Sequence, residues 1–293
     1  MVTSLVRRLV PRWVRESISA GEDYLRFDLY ANRIVAARIR PELAARDQPL
    51  QHLMVLSAPR SGSTILGRLL NANPAIAGFG ESRTSYSTLA DLDRLTYRTA
   101  AMIADFDARK TDWVFDKIVG PFDISEDVLS QPHLRYLFID RDPFAIYQST
   151  IRLFDLPHNA ETATNWSREY SERLDQLIAT LRSVAPGTAA WFSYEDLLEN
   201  PSETLAHLTT FLDLAVPLTD TFPSTSGPVR LKYGDISGNL SAGKLLKSND
   251  PLPEPDPAVF DKELIDFVRT AHRMYIECLS NHATSRKSTA AQR

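Results

Sequence analysis

The 293-residue sequence carries 33 lysines and arginines against 37 aspartates and glutamates, a formal charge of −4 that lacks the basic surplus of a nucleic-acid binder. Its one cysteine, Cys278, excludes an internal disulfide and fits a reducing compartment, and no apolar run reaches the length needed to cross a bilayer. The expectation is a cytoplasmic protein long enough for one sizeable core.

The chain opens on an N-terminal helical segment, residues 1–50. Leu5, Val6, Leu9, Val10, Trp13 and Val14 share a broad face while Arg7, Arg8, Arg12 and Arg15 supply charge, and Arg7 and Arg8 follow so soon that the continuous apolar stretch of a secretory signal is lacking. Through Arg46, nine arginines stand against five carboxylates. Such a helix suits three surfaces, and the choice stays open: an anionic membrane met peripherally, a second subunit of a homo-oligomer, or the chain's own domain. Tyr24 to Arg40 then predicts a second helix, closed by Pro41.

Residues 51–280 follow as one domain. Strand patterns fall at 53–57, 113–119, 134–140 and 189–193, with a short one around Ala75 to Phe79, and helical patterns fill most of the gaps. That alternation predicts an α/β fold: a parallel sheet covered by helices on both faces, with ligands beyond the carboxyl ends of its strands. Residues 223–257, rich in Pro, Gly, Ser and Asn, read as a long loop. Val259 to Leu279 resumes as an amphipathic helix, and a disordered tail occupies 281–293.

Chemistry concentrates in three places. Ser57-Ala58-Pro59-Arg60-Ser61-Gly62-Ser63-Thr64 lies between the first strand and a helical run from Ile65 to Leu70, where a phosphate-cradling loop belongs. Against GxxxxGK[ST], Gly62 and Thr64 are in place, but Ser57 replaces the first glycine and Ser63 the lysine. The loop therefore lacks the cation of an ordinary ATP or GTP site, though it offers backbone N–H groups, hydroxyls and Arg60 to an anion. Next, Arg141-Asp142-Pro143 follows a strand directly; Asp142 can cap the ensuing helix and Pro143 presets its first turn. Ser149 lies within that helix. Last comes Tyr194-Glu195-Asp196-Leu197, after a strand and with Pro201 downstream.

Together these resemble the sulfotransferases, which use 3'-phosphoadenosine 5'-phosphosulfate (PAPS). The loop is similar to their 5'-phosphosulfate loop, and Arg141 with Ser149, eight residues later, has the spacing of their 3'-phosphate pair. The resemblance implies a three-layer α/β/α fold related to P-loop NTPases, sulfuryl transfer to a hydroxyl or, second, an amine acceptor, and release of adenosine 3',5'-bisphosphate (PAP) without a metal. It implies that Arg60, Ser61, Gly62, Ser63, Thr64, Arg141, Ser149 and Tyr194 hold the cofactor, the tyrosine by touching the adenine; plain core packing is the other reading of Tyr194. Lys244, in a Gly243-Lys244 step with Arg230, Lys232 and Lys247 nearby, is the candidate for a late loop closing on the donor, although its spacing departs from the family's RKG pattern.

For the base, Glu81 in Phe79-Gly80-Glu81-Ser82 corresponds to the glutamate of the carbohydrate, protein and bacterial branches, against a solvated or salt-bridged carboxylate as the alternative. Lys117, in Asp116-Lys117, resembles a strand-end motif near the sulfonate; an ion pair with Asp116 or Glu81 is the other reading. Catalytic roles thus fall on Glu81, Arg60 and Lys117, with His158 as an outside candidate in a loop where an acceptor passes. The acceptor implied is a small molecule, a carbohydrate, a lipid-linked sugar or a bacterial metabolite. Two competing readings are a P-loop small-molecule kinase, which needs the missing lysine, and a catalytically silent nucleotide-binding protein, which needs no base.

Overall fold

The computed structural model describes residues 27–78, 80–82, 84–103, 105–223, 242–246 and 251–285. The basic helix expected over Leu5 to Arg15, together with Phe79, Arg230, Lys232, Lys247 and the end of the tail, lies outside the described residues.

The first described residues, from Phe27, are helical, with a π-type turn over Ala31–Val35 that continues as α1, Ala36–Ala44, with Pro41 inside it. Pro41 therefore does not close the helix. It removes the donor that would reach the Ala37 carbonyl, but both residues are exposed, where water replaces the lost bond.

Beyond it come β1 (Gln51–Ser57), α2 (Ser63–Asn71), β2 (Ile76–Ala77), α3 (Ala90–Met102), β3 (Trp113–Ile118) and α4 (Glu126–Leu129). There follow β4 (Leu134–Asp140), α5 (Pro143–Phe154), α6 (Ala160–Ser183), β5 (Ala189–Ser193), α7 (Tyr194–Glu199), α8 (Pro201–Phe211) and α9 (Lys262–His282). The described strands form one sheet in the order β2-β3-β1-β4-β5, parallel throughout.

Side chains alternate across a strand, so each strand feeds two cores. Met54, Leu56, Tyr136 and Phe138 face a layer built with Leu92 and Leu95 of α3, Leu174 and Leu177 of α6 and Tyr275 of α9. Leu53, Val55, Leu137 and Ile139 face Leu66, Leu69 and Leu70 of α2 and Leu205 and Leu208 of α8. Burial on both faces explains why these strands are nearly continuous apolar runs.

The order of winding switches at β1: after β1 the chain runs to the edge strand β2, comes back to β3 beside β1, then crosses to lay β4 on the other side. Loops leaving β1 and β4 therefore diverge, and a crevice opens at their carboxyl ends. At the far edge, Thr284 pairs with Ala190, and Trp191 donates to its carbonyl at 2.8 Å. The segment after α9 thus shields the β5 edge. The expected tail is ordered at its start, because those backbone groups have sheet partners.

Candidate active site

The turn after β1 is built on two left-handed residues, Arg60 at φ 69° and Gly62 at φ 89°, the latter serving as the N-cap of α2. This folds Ser61 into the crevice and aims the first turn of α2 at the same space, a geometry that favours an anion. Gly62 is required twice over. Besides the positive φ, a Cβ there would lie 2.2 Å from Cδ2 of Tyr194, whose ring closes the turn from the start of α7.

β4 delivers Arg141 to that turn. Asp142 caps α5 by accepting from the Ala145 N–H at 2.8 Å, and Pro143 occupies the first helical turn, so strand passes to helix without slack. The Arg141 guanidinium lies 4.6 Å from the Tyr194 ring centroid, and its Nη1 donates to the Arg60 carbonyl at 2.6 Å. In turn, Arg60 Nε donates to Ser149 Oγ on α5 at 3.0 Å. Residues from four elements are interlocked here. Two polar atoms of the assembly, Arg141 Nε and Ser61 Oγ, are buried with no partner among the described residues, as is Ser57 Oγ at the root of the loop. Buried polar atoms are ordinarily paired, so these mark capacity for a ligand.

The other wall rises from β3. Lys117 donates from Nζ to Thr64 Oγ1 at 3.0 Å and pairs with Glu81 Oε1 at 3.3 Å. The lysine is buried and the glutamate is 45% exposed, so the carboxylate meets the open crevice while the ammonium supports it from within. Burial pushes the Lys117 pKa down, against the charge and hydrogen bond of Glu81, which hold it up. Asp116 turns to the opposite side, accepting from Ser82 N–H and Oγ at 2.8 and 2.5 Å and from the Tyr86 hydroxyl at 2.6 Å. Burial raises its pKa despite those donors. The ion pair expected of Lys117 is therefore with Glu81, and Asp116 instead secures the segment that presents Glu81.

Other expected residues lie apart. Lys244 is exposed and its backbone bridges Thr221; among the described residues its side chain has no bond to the crevice. His158 is held between the Tyr147 hydroxyl at 3.3 Å and Asp256 at 3.2 Å. Three supporting groups went unrecognised in the sequence. Arg98 pairs with Asp28 at 2.7 Å and donates to Thr84 Oγ1 beside the Glu81 segment. Arg173 of α6 binds the carbonyls of Ser57 and Ile118, and His272 of α9 meets Asp140 at 2.9 Å, next to Arg141. All three sit in ordinary amphipathic helices, and no local pattern separates them from surface residues.

The parallel sheet with its helices matches the sulfotransferase fold, represented by mouse sulfotransferase SULT7A1 complexed with PAP. That structure matches with a TM-score of 0.50 at 11% identity, covering 88% of this chain and 96% of its own. The sulfotransferase domain of the Synechococcus PCC 7002 olefin synthase matches with a TM-score of 0.46 at 17% identity, covering 76% of this chain and 96% of its own. A sulfotransferase from Alicyclobacillus acidocaldarius matches at 0.45 and 13% identity, covering 82% and 98%. No curated protein matches the chain in sequence. The model of a sulfotransferase family matches residues 99–218, less than half of the chain.

Proposed function

We propose that the protein transfers a sulfuryl group from PAPS to a hydroxyl, with an amine as the second choice of acceptor. One observation carries this reading: Arg141 and Ser149 interlock with the Arg60 turn, leaving Arg141 Nε and Ser61 Oγ buried and unpartnered in one crevice. A donor phosphorylated on both the 3' and the 5' oxygen of one ribose fits that pair of anion sites; ATP carries no 3'-phosphate for Arg141.

PAPS, when bound, supplies an activated sulfuryl group on a good leaving group. The residues position and stabilise charge, the dominant demand in this type of transfer. Arg141 and Ser149 hold the 3'-phosphate. Arg60, Ser61, Gly62, Ser63 and Thr64 hold the 5' end, where Arg60 acts as an electrostatic clamp because a guanidinium does not readily give up its proton. Tyr194 backs the turn and the Arg141 guanidinium and lines the donor site. Lys117 links Thr64 to Glu81, so the base and the donor loop are fixed relative to each other.

Glu81 takes the acceptor's proton as the acceptor oxygen forms its bond to sulfur. The bond from sulfur to the phosphate oxygen breaks, and its electron pair leaves on PAP. A glutamate in this place leans the acceptor toward a carbohydrate, glycolipid or bacterial metabolite. Lys244 takes no part in this assignment. Calorimetry with PAP, adenosine 5'-phosphosulfate and ATP tests the reading. PAP is expected to bind at least tenfold more tightly than ATP, on the order of the contribution of one charge-assisted contact set. ATP binding as well as PAP, and tightening with magnesium, would sink it.

A further inference from the structure

Arg173 is 6% exposed, and its hydrogen bonds all go to uncharged groups. Nε and Nη2 donate to the Ser57 carbonyl at 3.0 and 2.9 Å, Nη2 also to the Ile118 carbonyl at 2.6 Å, and Nη1 to Gln176 Oε1 at 3.3 Å. The guanidinium lies 4.7 Å from the Phe122 ring centroid. No carboxylate is within ion-pair distance of it among the described residues. The fold treats its other deeply buried helical arginine differently: Arg98, 4% exposed, is paired with Asp28.

A buried charge without a counter-charge is costly and survives where something offsets it. Burial does push the Arg173 pKa down to about 10, which leaves the group charged at neutral pH. Its location identifies the offset. Ser57 ends β1 and Ile118 ends β3, so Arg173 ties together the strand ends from which the Arg60 loop and the Lys117 wall depart. Parallel strands present carbonyl oxygens at this edge, and their partial negative charge opposes an incoming anion. Arg173 takes up two of those carbonyls and leaves a net positive charge beneath the loop. The buried, unpartnered hydroxyls of Ser57 and Ser61 lie in the same stretch.

We propose that Arg173 is a positioning residue for the donor: a fixed cation under the Ser57 end of the loop, neutralised only when the donor's 5' end is bound. The proposal rests on the PAPS reading above. It predicts an effect confined to the 5' end of the donor, which a merely structural arginine would not show.

The test compares wild type with Arg173→Met by calorimetry against PAP, adenosine 5'-phosphate and adenosine 3'-phosphate, with melting curves in the absence of ligand. PAP and adenosine 5'-phosphate are expected to weaken about tenfold, the scale of one charge acting across roughly 10 Å of protein. Adenosine 3'-phosphate should change less than twofold, while the ligand-free melting temperature falls because the Ser57 and Ile118 carbonyls lose their donor. Equal weakening of all three ligands, or no weakening of PAP, overturns the proposal. Should the methionine variant not fold, Arg173→Lys and Arg173→Gln form the deciding pair, with PAP affinity kept by Lys and lost by Gln; equal affinities overturn it. Failure of the PAPS reading itself looks different, because it appears in wild type as a loss of preference for PAP over ATP.

Discussion

At 3.3 Å from Lys117, Glu81 has one oxygen tied to the wall of the crevice, and its side chain remains partly open to solvent. A base needs that combination of fixed orientation and access. Removing its charge while keeping its shape should act on turnover and leave donor binding alone: Glu81→Gln is expected to lower kcat by at least about a hundredfold, with PAP affinity by calorimetry within about threefold. Retained turnover would return Glu81 to the role of a surface carboxylate, and with it the protein to a silent nucleotide binder. Gly62 makes a separate demand. Gly62→Ala places a Cβ inside the Tyr194 ring and a side chain at φ 89°. Left-handed backbone alone costs about 1–2 kcal/mol for an ordinary residue, and the displaced tyrosine undoes the packing on Arg141. The variant should melt lower and lose PAP affinity together, measured by thermal melts and calorimetry; a variant with wild-type values for both would contradict the steric argument.

Between elements, the contact of α9 with the end of β4 is where pH enters. His272 Nε2 meets Asp140 Oδ1 at 2.9 Å, and the carboxylates of Asp142 and Glu195 lie close by. Burial works against a charged His272, but the hydrogen bond to Asp140 and the charges of Asp140, Asp142 and Glu195 outweigh it, so its pKa lies above the ordinary value. A pKa raised by folding means that the folded state holds the proton more tightly. The resulting stability is fully present below the unfolded value of about 6.5 and is lost as pH rises through the folded value. The contribution of this pair to the wild-type melting temperature should therefore fall as pH rises from about 6.5 through the raised value, and His272→Gln should flatten that part of the profile. Identical pH slopes for the two proteins would show that the pair carries no such linkage. The same element logic explains α5: Asp142 caps it and Pro143 opens it, so Arg141 and Ser149 keep a fixed separation along one rigid segment.

Across the whole molecule, what was readable in the sequence is what depends on neighbours along the chain. Four strand patterns at 53–57, 113–119, 134–140 and 189–193 match β1, β3, β4 and β5 within a residue or two, because a buried parallel strand must be apolar on both faces and so announces itself. The loop around Gly62 and the Asp142-Pro143 start were legible for a similar reason: positive φ, capping and a preset first turn each demand particular residue types in fixed order. Pro41 misled, since its cost depends on whether water can reach the freed carbonyl. Pairings across long stretches had no such local mark. That Lys117 stands between Thr64 and Glu81, that Arg173 takes the carbonyls of Ser57 and Ile118, and that His272 reaches Asp140 are consequences of strand order and helix placement. Elements, turn chemistry and family resemblance can be read along the chain because local sterics and hydrophobic period govern them. Which charges face one another is set by strand order and helix placement, because electrostatic partners depend on distance in space and not on separation along the chain.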